Sequence, residues 1–194
     1  MGNNKVDNLK KVILGLLLII LLISCSTTQE VKVVDNRVST LLNGKCLDKE
    51  GQVVKISSPY YLLYFAADWC PYCVKAEEEL VKQFKILKEQ FEVQIIFMGH
   101  EKDEANEDML RYLNSTSFDI PYLPYEYREG TGFFDLIKDD KFYIPGFLLL
   151  SEDNTLLASS SGKVKEDYSV MRPINIFLSI QQCDCVLEQL KNNK

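Results

Sequence analysis

Tyr61-Leu62-Leu63-Tyr64-Phe65-Ala66-Ala67-Asp68-Trp69-Cys70-Pro71-Tyr72-Cys73 decides the reading of this chain. The run from Tyr60 to Ala67 is almost wholly apolar and rich in aromatics, the pattern of a central strand buried on both faces. Beyond it, Ala76, Leu80, Phe84, Leu87 and Phe91 recur three or four apart, which predicts an amphipathic helix over Val74 to Phe91. Two cysteines with two residues between them therefore stand where a strand ends and a helix begins. The first sulfur lies near the free N–H groups of the first helical turn, where the positive end of the dipole favours thiolate over thiol. In such motifs a thiol pKa of about 8.5 falls to roughly 3.5–7.5. The second sulfur lies one turn along, close enough to attack a mixed disulfide formed by the first. Cys70 is thus the candidate nucleophile, expected to be exposed, and Cys73 the more buried resolving thiol. Trp69, Pro71 and Tyr72 are expected to border the first sulfur and to offer a flat apolar docking face.

Working outward, Leu41 to Leu47 and Gln52 to Ile56 flank Asp48-Lys49-Glu50-Gly51, which predicts a hairpin whose glycine supplies the positive φ. Val93-Gln94-Ile95-Ile96-Phe97-Met98 is the next strand, completing a βαβ unit with a right-handed crossover. A second helix is predicted over Glu104 to Leu113, an irregular stretch with two prolines over Ile120 to Arg128, and a short helix over Gly132 to Lys138. Phe147-Leu148-Leu149-Leu150 and Thr155-Leu156-Leu157-Ala158 form a second hairpin, and a last helix runs from about Pro173 to Leu190. Pro173 suits a first helical turn, where its missing N–H is harmless. The fold class is α/β: a mixed central sheet flanked by helices, with an added N-terminal β-hairpin.

The start of the chain reads as a processing signal, to be set apart from the fold. Lys5, Lys10 and Lys11 precede the apolar run Val12 to Ile23, which is shorter than the roughly 20 residues a membrane-crossing helix needs. Leu22-Ile23-Ser24-Cys25 resembles the bacterial lipobox, which implies a signal peptide over residues 1–24 and lipidation of Cys25 as the new N-terminus. The alternative is an uncleaved anchor with an incidental cysteine. Both place the folded part outside the cytoplasm, held at a membrane surface and facing an oxidising space such as the periplasm. Residues 25–37 are polar and read as a tether. Residues 38–194 suffice for one domain with a proper core and are too few for two ordinary ones. The net charge of −6, without any basic cluster, argues against a nucleic-acid partner.

A purely structural disulfide between Cys70 and Cys73 would close a tiny loop and stabilise little. A metal site would want a second ligand pair. Cys46 stands alone and Cys183 and Cys185 are spaced C-x-C, so no metal and no cofactor is expected. On a continuous helix Cys183 and Cys185 point to nearly opposite faces and do not bond each other without local unwinding. A bond from one of them to Cys46, a second relay dithiol and plain structural cysteines all stay open, the last being preferred. His100, the single histidine, follows a strand; it reads as a loop residue rather than a catalytic base. The ten tyrosines and ten phenylalanines are most simply core and groove lining.

These residues resemble the thioredoxin superfamily, and within it the tryparedoxin/nucleoredoxin branch and the membrane-anchored TlpA-like reductases. Leu63 to Cys73 is similar to that branch's active-site strand and loop, and Phe91-Glu92-Val93 with Ile95-Ile96-Phe97 to its following strand. Ile120 to Tyr125 with Arg128-Glu129 resembles its segment before the third helix. Tyr143-Ile144-Pro145 before Phe147 to Leu150 resembles the superfamily's cis-proline loop and strand. The resemblance spans about Leu41 to Gly162. It implies a thioredoxin-like fold, a cis Ile144–Pro145 bond, and main-chain hydrogen bonds from Ile144 to an extended, cysteine-bearing substrate segment. A shorter local likeness to glutaredoxin, Pro-Tyr with Val74-Lys75-Ala76, fits the rest of the chain poorly. Two departures stand out. Tyr64 occupies the place of the buried acid that handles the second thiol's proton in most thioredoxins, leaving that role to no assigned group; Glu77 and Glu78, a turn beyond Cys73, either serve through water or form a solvated helix face. Glu78 also replaces a helix-kinking proline of many relatives.

The function implied is a lipid-anchored, extracytoplasmic thiol–disulfide oxidoreductase that reduces disulfides of exported proteins and is recharged by a membrane thiol–disulfide electron donor. Two other classes remain: an oxidase donating its disulfide to exported chains, and a surface lipoprotein that keeps the fold without the chemistry.

Overall fold

The computed structural model describes residues 35–137, 141–162 and 164–192. The expected signal peptide, Cys25 and nearly all of the tether lie outside these. Four strands form one sheet: β1 (Tyr60–Phe65), β2 (Val93–Gly99), β3 (Gly146–Ser151) and β4 (Leu156–Ser159), in spatial order β2-β1-β3-β4. β1 runs parallel to β2 and antiparallel to β3, which pairs antiparallel with β4. The chain returns from β1 to β2 through the long helix that follows the cysteines. β1 is thus central, with Leu63 between Ile96 and Leu148, and both its faces must be apolar. Its alternate residues divide accordingly. Leu62 and Tyr64 enter a core shared with three helices, whereas Tyr61, Leu63 and Phe65 enter a second core on the opposite face.

The first core is closed by Leu80, Phe84 and Leu87 of the long helix, by Met109, Tyr112 and Leu113 of a second helix, and by Ile174, Phe177 and Ile180 of a third. Five aromatic contacts connect Tyr64, Phe84, Phe118 and Phe147 here; each such pair adds roughly 0.5–1.5 kcal/mol beyond simple burial. The second core is covered more thinly, by helix α1 (Val38–Leu42), by Cys46, Ile56 and Leu123, and by a 3-10 turn over Phe133–Ile137. The remaining helices are α2 (Pro71–Gln90), α3 (Asn106–Ser115), α4 (Arg172–Gln182) and α5 (Asp184–Asn192).

Three departures from the sequence expectation have local causes. Leu41 and Leu42 belong to α1 rather than to a strand, because Val38 and Leu42, a helical turn apart, are both fully buried. The N-terminal hairpin is accordingly short: Asp48 N–H bonds Gln52, Val54 N–H bonds Cys46, Leu47 bridges Val53, and Gly51 supplies φ +80°. Leu47 also pairs with Tyr122, and Pro121 and Leu123 bond Phe97, so this hairpin and the proline-rich stretch together cover the outer edge of β2. At the C-terminus the expected single helix is interrupted at Cys183, which adopts extended φ −156°, ψ 116° between α4 and α5. Cys183 is disulfide-bonded. A bond to Cys46 is not made, since Cys46 is a free buried thiol.

Candidate active site

α2 begins three residues earlier than its apolar period indicates, because Pro71 occupies the first turn, where no N–H is required, and Cys70 supplies the cap. The Cys70 carbonyl accepts N–H groups from Cys73 (3.0 Å) and Val74 (3.2 Å), and its Sγ accepts the Cys73 N–H at 3.3 Å. A sulfur thus takes the place an oxygen fills at most helix starts. Cys70 Sγ also lies 3.5 Å from the carbonyl of Ile144, to which its S–H donates. Both thiols are free. Contrary to the sequence expectation, Cys70 is not openly exposed. It is 4 % accessible, because its sulfur is turned onto the helix end and the Ile144 carbonyl. Exposure is carried instead by its neighbours Trp69 (55 %) and Tyr72 (72 %) and by Val74 (57 %). Pro71 is exposed too.

Cys73 is fully buried in the first core. Burial pushes its thiol well above the ordinary cysteine range, and its hydrogen bond with the Cys70 side chain acts in the same direction. In the same core Tyr64 Oη and Tyr112 Oη form a buried hydroxyl pair at 2.7 Å. Burial raises both phenols, so both are neutral, and the pair lies close enough to the cysteines to feel their charge. Of the two carboxylates beyond Cys73, Glu78 points to solvent and pairs with Lys82 at 2.8 Å. Glu77 is half-buried, accepts the Ser117 N–H at 3.1 Å, and its charge is felt at Tyr112.

The Ile144–Pro145 bond is cis, and Ile144 is half-buried at the site's edge. Gly146 follows because a side chain is barred there: a Cβ would meet the Tyr143 carbonyl at 2.5 Å and the Phe142 ring at 2.7 Å. The loop is held from outside by residues whose role the sequence does not announce. Tyr168 Oη donates to the Pro145 carbonyl at 2.6 Å, its ring packs edge-on against Tyr143, and the Ser161 hydroxyl accepts the Tyr143 N–H at 2.9 Å. Burial moves the Tyr168 phenol up to about 12, so it remains a donor. Tyr168 and Ser161 sit in irregular chain with no periodic signal. Only the third dimension brings them to the site.

On the other flank, Asp68 pairs with Arg111 and the Trp69 indole meets the His100 ring edge-on at 5.0 Å. Among the described residues, no group of three or more His, Cys, Asp or Glu side chains converges to hold a metal ion.

No protein-family model matches the chain, nor does any curated protein. Solved structures do. Tryparedoxin II in complex with glutathionylspermidine superposes with a TM-score of 0.51 at 16% identity, covering 75% of this chain and 94% of that one. Tryparedoxin II from C. fasciculata gives 0.50 at 20% identity, covering 62% and 80%. A thioredoxin from Wuchereria bancrofti gives 0.49 at 21% identity, covering 73% and 96%. At 16–20% identity the two tryparedoxin likenesses establish the fold alone: this is a thioredoxin-like α/β domain.

Proposed function

We propose that the chain is a thiol–disulfide oxidoreductase, held outside the cytoplasm by a lipidated Cys25, which reduces disulfides of exported proteins. The observation that carries this reading is the Cys70 sulfur on the N-terminus of α2, accepting the Cys73 N–H at 3.3 Å beside the cis Ile144–Pro145 bond. Cys70 thiolate attacks one sulfur of a substrate disulfide, forming a mixed disulfide and releasing the other sulfur as a thiolate that takes up a proton. Cys73 then gives up its proton and attacks Cys70 Sγ. The second substrate sulfur leaves as a thiolate and takes up a proton, so the substrate departs with two thiols, and the two electrons it gains are those lost as Cys70–Cys73 closes to a disulfide. The high position of the Cys73 thiol keeps it protonated until the mixed disulfide needs resolving, which delays premature closure. A membrane thiol–disulfide donor would return two electrons to close the cycle.

The exposed faces of Trp69 and Tyr72 form the docking surface, and Ile144 offers main-chain groups to an extended substrate segment. Insulin reduction by dithiothreitol, accelerated by the wild type and not by Cys70→Ser, tests the activity. A redox titration sets its direction: a potential near ~−270 mV supports reduction, one near ~−120 mV an oxidase. Release of the protein from membranes by Cys25→Ala tests the anchor.

A further inference from the structure

Trp69 is the only tryptophan of the chain. It is more than half exposed, so the core does not set its orientation. Its indole meets the His100 ring edge-on at 5.0 Å, and His100 is itself held from several sides. Its N–H donates to Asp103 Oδ2 at 2.7 Å, and its carbonyl accepts Arg128 Nη1 at 2.9 Å. Asp103 and Arg128 are themselves paired at 2.9 Å with side chains 5 % and 6 % exposed. The guanidinium lies between the rings of Tyr125 and Phe134, at 5.3 and 5.2 Å. The preceding Gly99 has φ +70°, and a Cβ there would meet Arg128 Nη2 at 2.1 Å and Asp103 Oδ2 at 2.3 Å, so the pair fills the space a side chain would take.

The imidazole is fixed as firmly as its backbone. Nδ1 accepts the Lys102 N–H at 3.1 Å, so the neutral ring carries its proton on Nε2. The ring stands at 86° to the indole, and Lys102 Nζ lies 5.8 Å from the indole centroid. His100 also lines, with Phe65, Glu101, Lys141, Phe142, Tyr143 and Ile144, a cavity of 330 Å³ beside the cis-proline loop. Burying an ion pair is costly and seldom favours stability over an apolar substitute. Here both of its members are spent on one residue's backbone.

We propose that the Asp103–Arg128 pair, acting through His100, is a positioning device for Trp69: it holds the indole upright beside Cys70 and keeps the cavity between His100 and Ile144 open for the substrate residue next to the attacked cysteine. This rests on the oxidoreductase reading for its substrate half and on geometry alone for the indole. The test uses Trp69 emission in the whole chain, comparing wild type with His100→Ala, His100→Phe and Arg128→Gln. In His100→Ala and Arg128→Gln, acrylamide quenching of Trp69 rises measurably but by less than twofold, since the indole is already 55 % exposed. KM for a disulfide-bearing peptide rises about tenfold, within the ~10²-fold that a displacement of about 1 Å can cause, while iodoacetamide labels Cys70 at the wild-type rate. His100→Phe, which restores an edge-on ring, returns quenching and KM most of the way. If Arg128→Gln does not fold, the His100 variants carry the comparison. Quenching in a folded His100→Ala that equals wild type overturns the proposal, as does increased quenching with KM unmoved. A wild type inert toward every disulfide would sink the oxidoreductase reading instead, with the quenching comparison still deciding whether His100 holds the indole.

Discussion

Cys46 and Cys70 are almost equally withdrawn from solvent, at 0 % and 4 % accessible, and both are free thiols. Their surroundings differ in kind. Cys46 lies in the second core among Val38, Leu42 and Ile56, where burial pushes its thiol up to about 12 and the charge of Lys45 opposes this only in part. Cys70 lies at the first turn of α2, with a backbone N–H directed at its sulfur and the Ile144 carbonyl on its other side. Solvent access therefore does not separate the candidate nucleophile from a core thiol in this molecule. What separates them is that a helix-end N–H, rather than methyl groups, faces the Cys70 sulfur.

The sharpest way to break this contrast is by substitution. Cys70→Ser is expected to lower disulfide reduction by three or more orders of magnitude, to the uncatalysed background, as for other nucleophile deletions. Cys73→Ser is expected to accumulate mixed disulfides, visible by non-reducing electrophoresis. Cys46→Ala should leave turnover unchanged and cost about 1–3 kcal/mol in urea unfolding, through a small cavity in the second core. In the folded protein, iodoacetamide should reach Cys70 first and Cys46 only on unfolding, as peptide mapping would register. Equal labelling of the two would remove the physical basis of the distinction.

The loop beside Cys70 gives a second, smaller test. Gly146→Ala must push the new methyl against the Tyr143 carbonyl and the Phe142 ring, costing about 1–3 kcal/mol and lowering kcat/KM with it. Tyr112→Phe should cost about 1–3 kcal/mol as well, because Tyr64 Oη then remains buried without its partner. A fall in melting temperature of a few degrees would register either change.

The smallest effect expected is one of pH. Burial lowers the His100 pKa below the ordinary histidine value of about 6.5, the charges of Lys102 and Arg128 act in the same direction, and Glu101 and Asp103 oppose them. The folded state therefore takes up its proton at lower pH than the unfolded chain does. Acidification through 6.5 and below protonates the unfolded state first, so stability falls as pH drops. Urea midpoints for wild type should decline between neutral and mildly acid pH by an amount that His100→Phe abolishes. An identical decline in both proteins would assign the effect to other groups.

Much of the architecture is legible along the chain. The apolar run of β1 announces a strand covered on both faces, and the three-and-four spacing from Ala76 to Phe91 announces α2. The turn chemistry at Glu152-Asp153-Asn154 announces the β3–β4 hairpin, where Asn154 adopts φ 61°. Positions governed by tertiary packing were not legible. Leu41-Leu42 carries no period long enough to distinguish helix from strand, and the burial of Val38 and Leu42 decides the matter. The run over α4 and α5 keeps a helical pattern across Cys183, so nothing in its spacing shows the break.

The same division holds at the site. Two cysteines three apart, after a buried strand and at a helix start, name the candidate reacting atoms, because that reading depends only on neighbours within one turn. The Tyr64–Tyr112 pair, Tyr168 on the Pro145 carbonyl, and the Asp103–Arg128 hold on His100 join residues tens of positions apart. Their spacing along the chain carries no trace of contact, since such contacts follow from how strands and helices stack rather than from any local period. Short-range physics thus sufficed to place the candidate cysteines at a helix start, and long-range packing chose the groups that surround them.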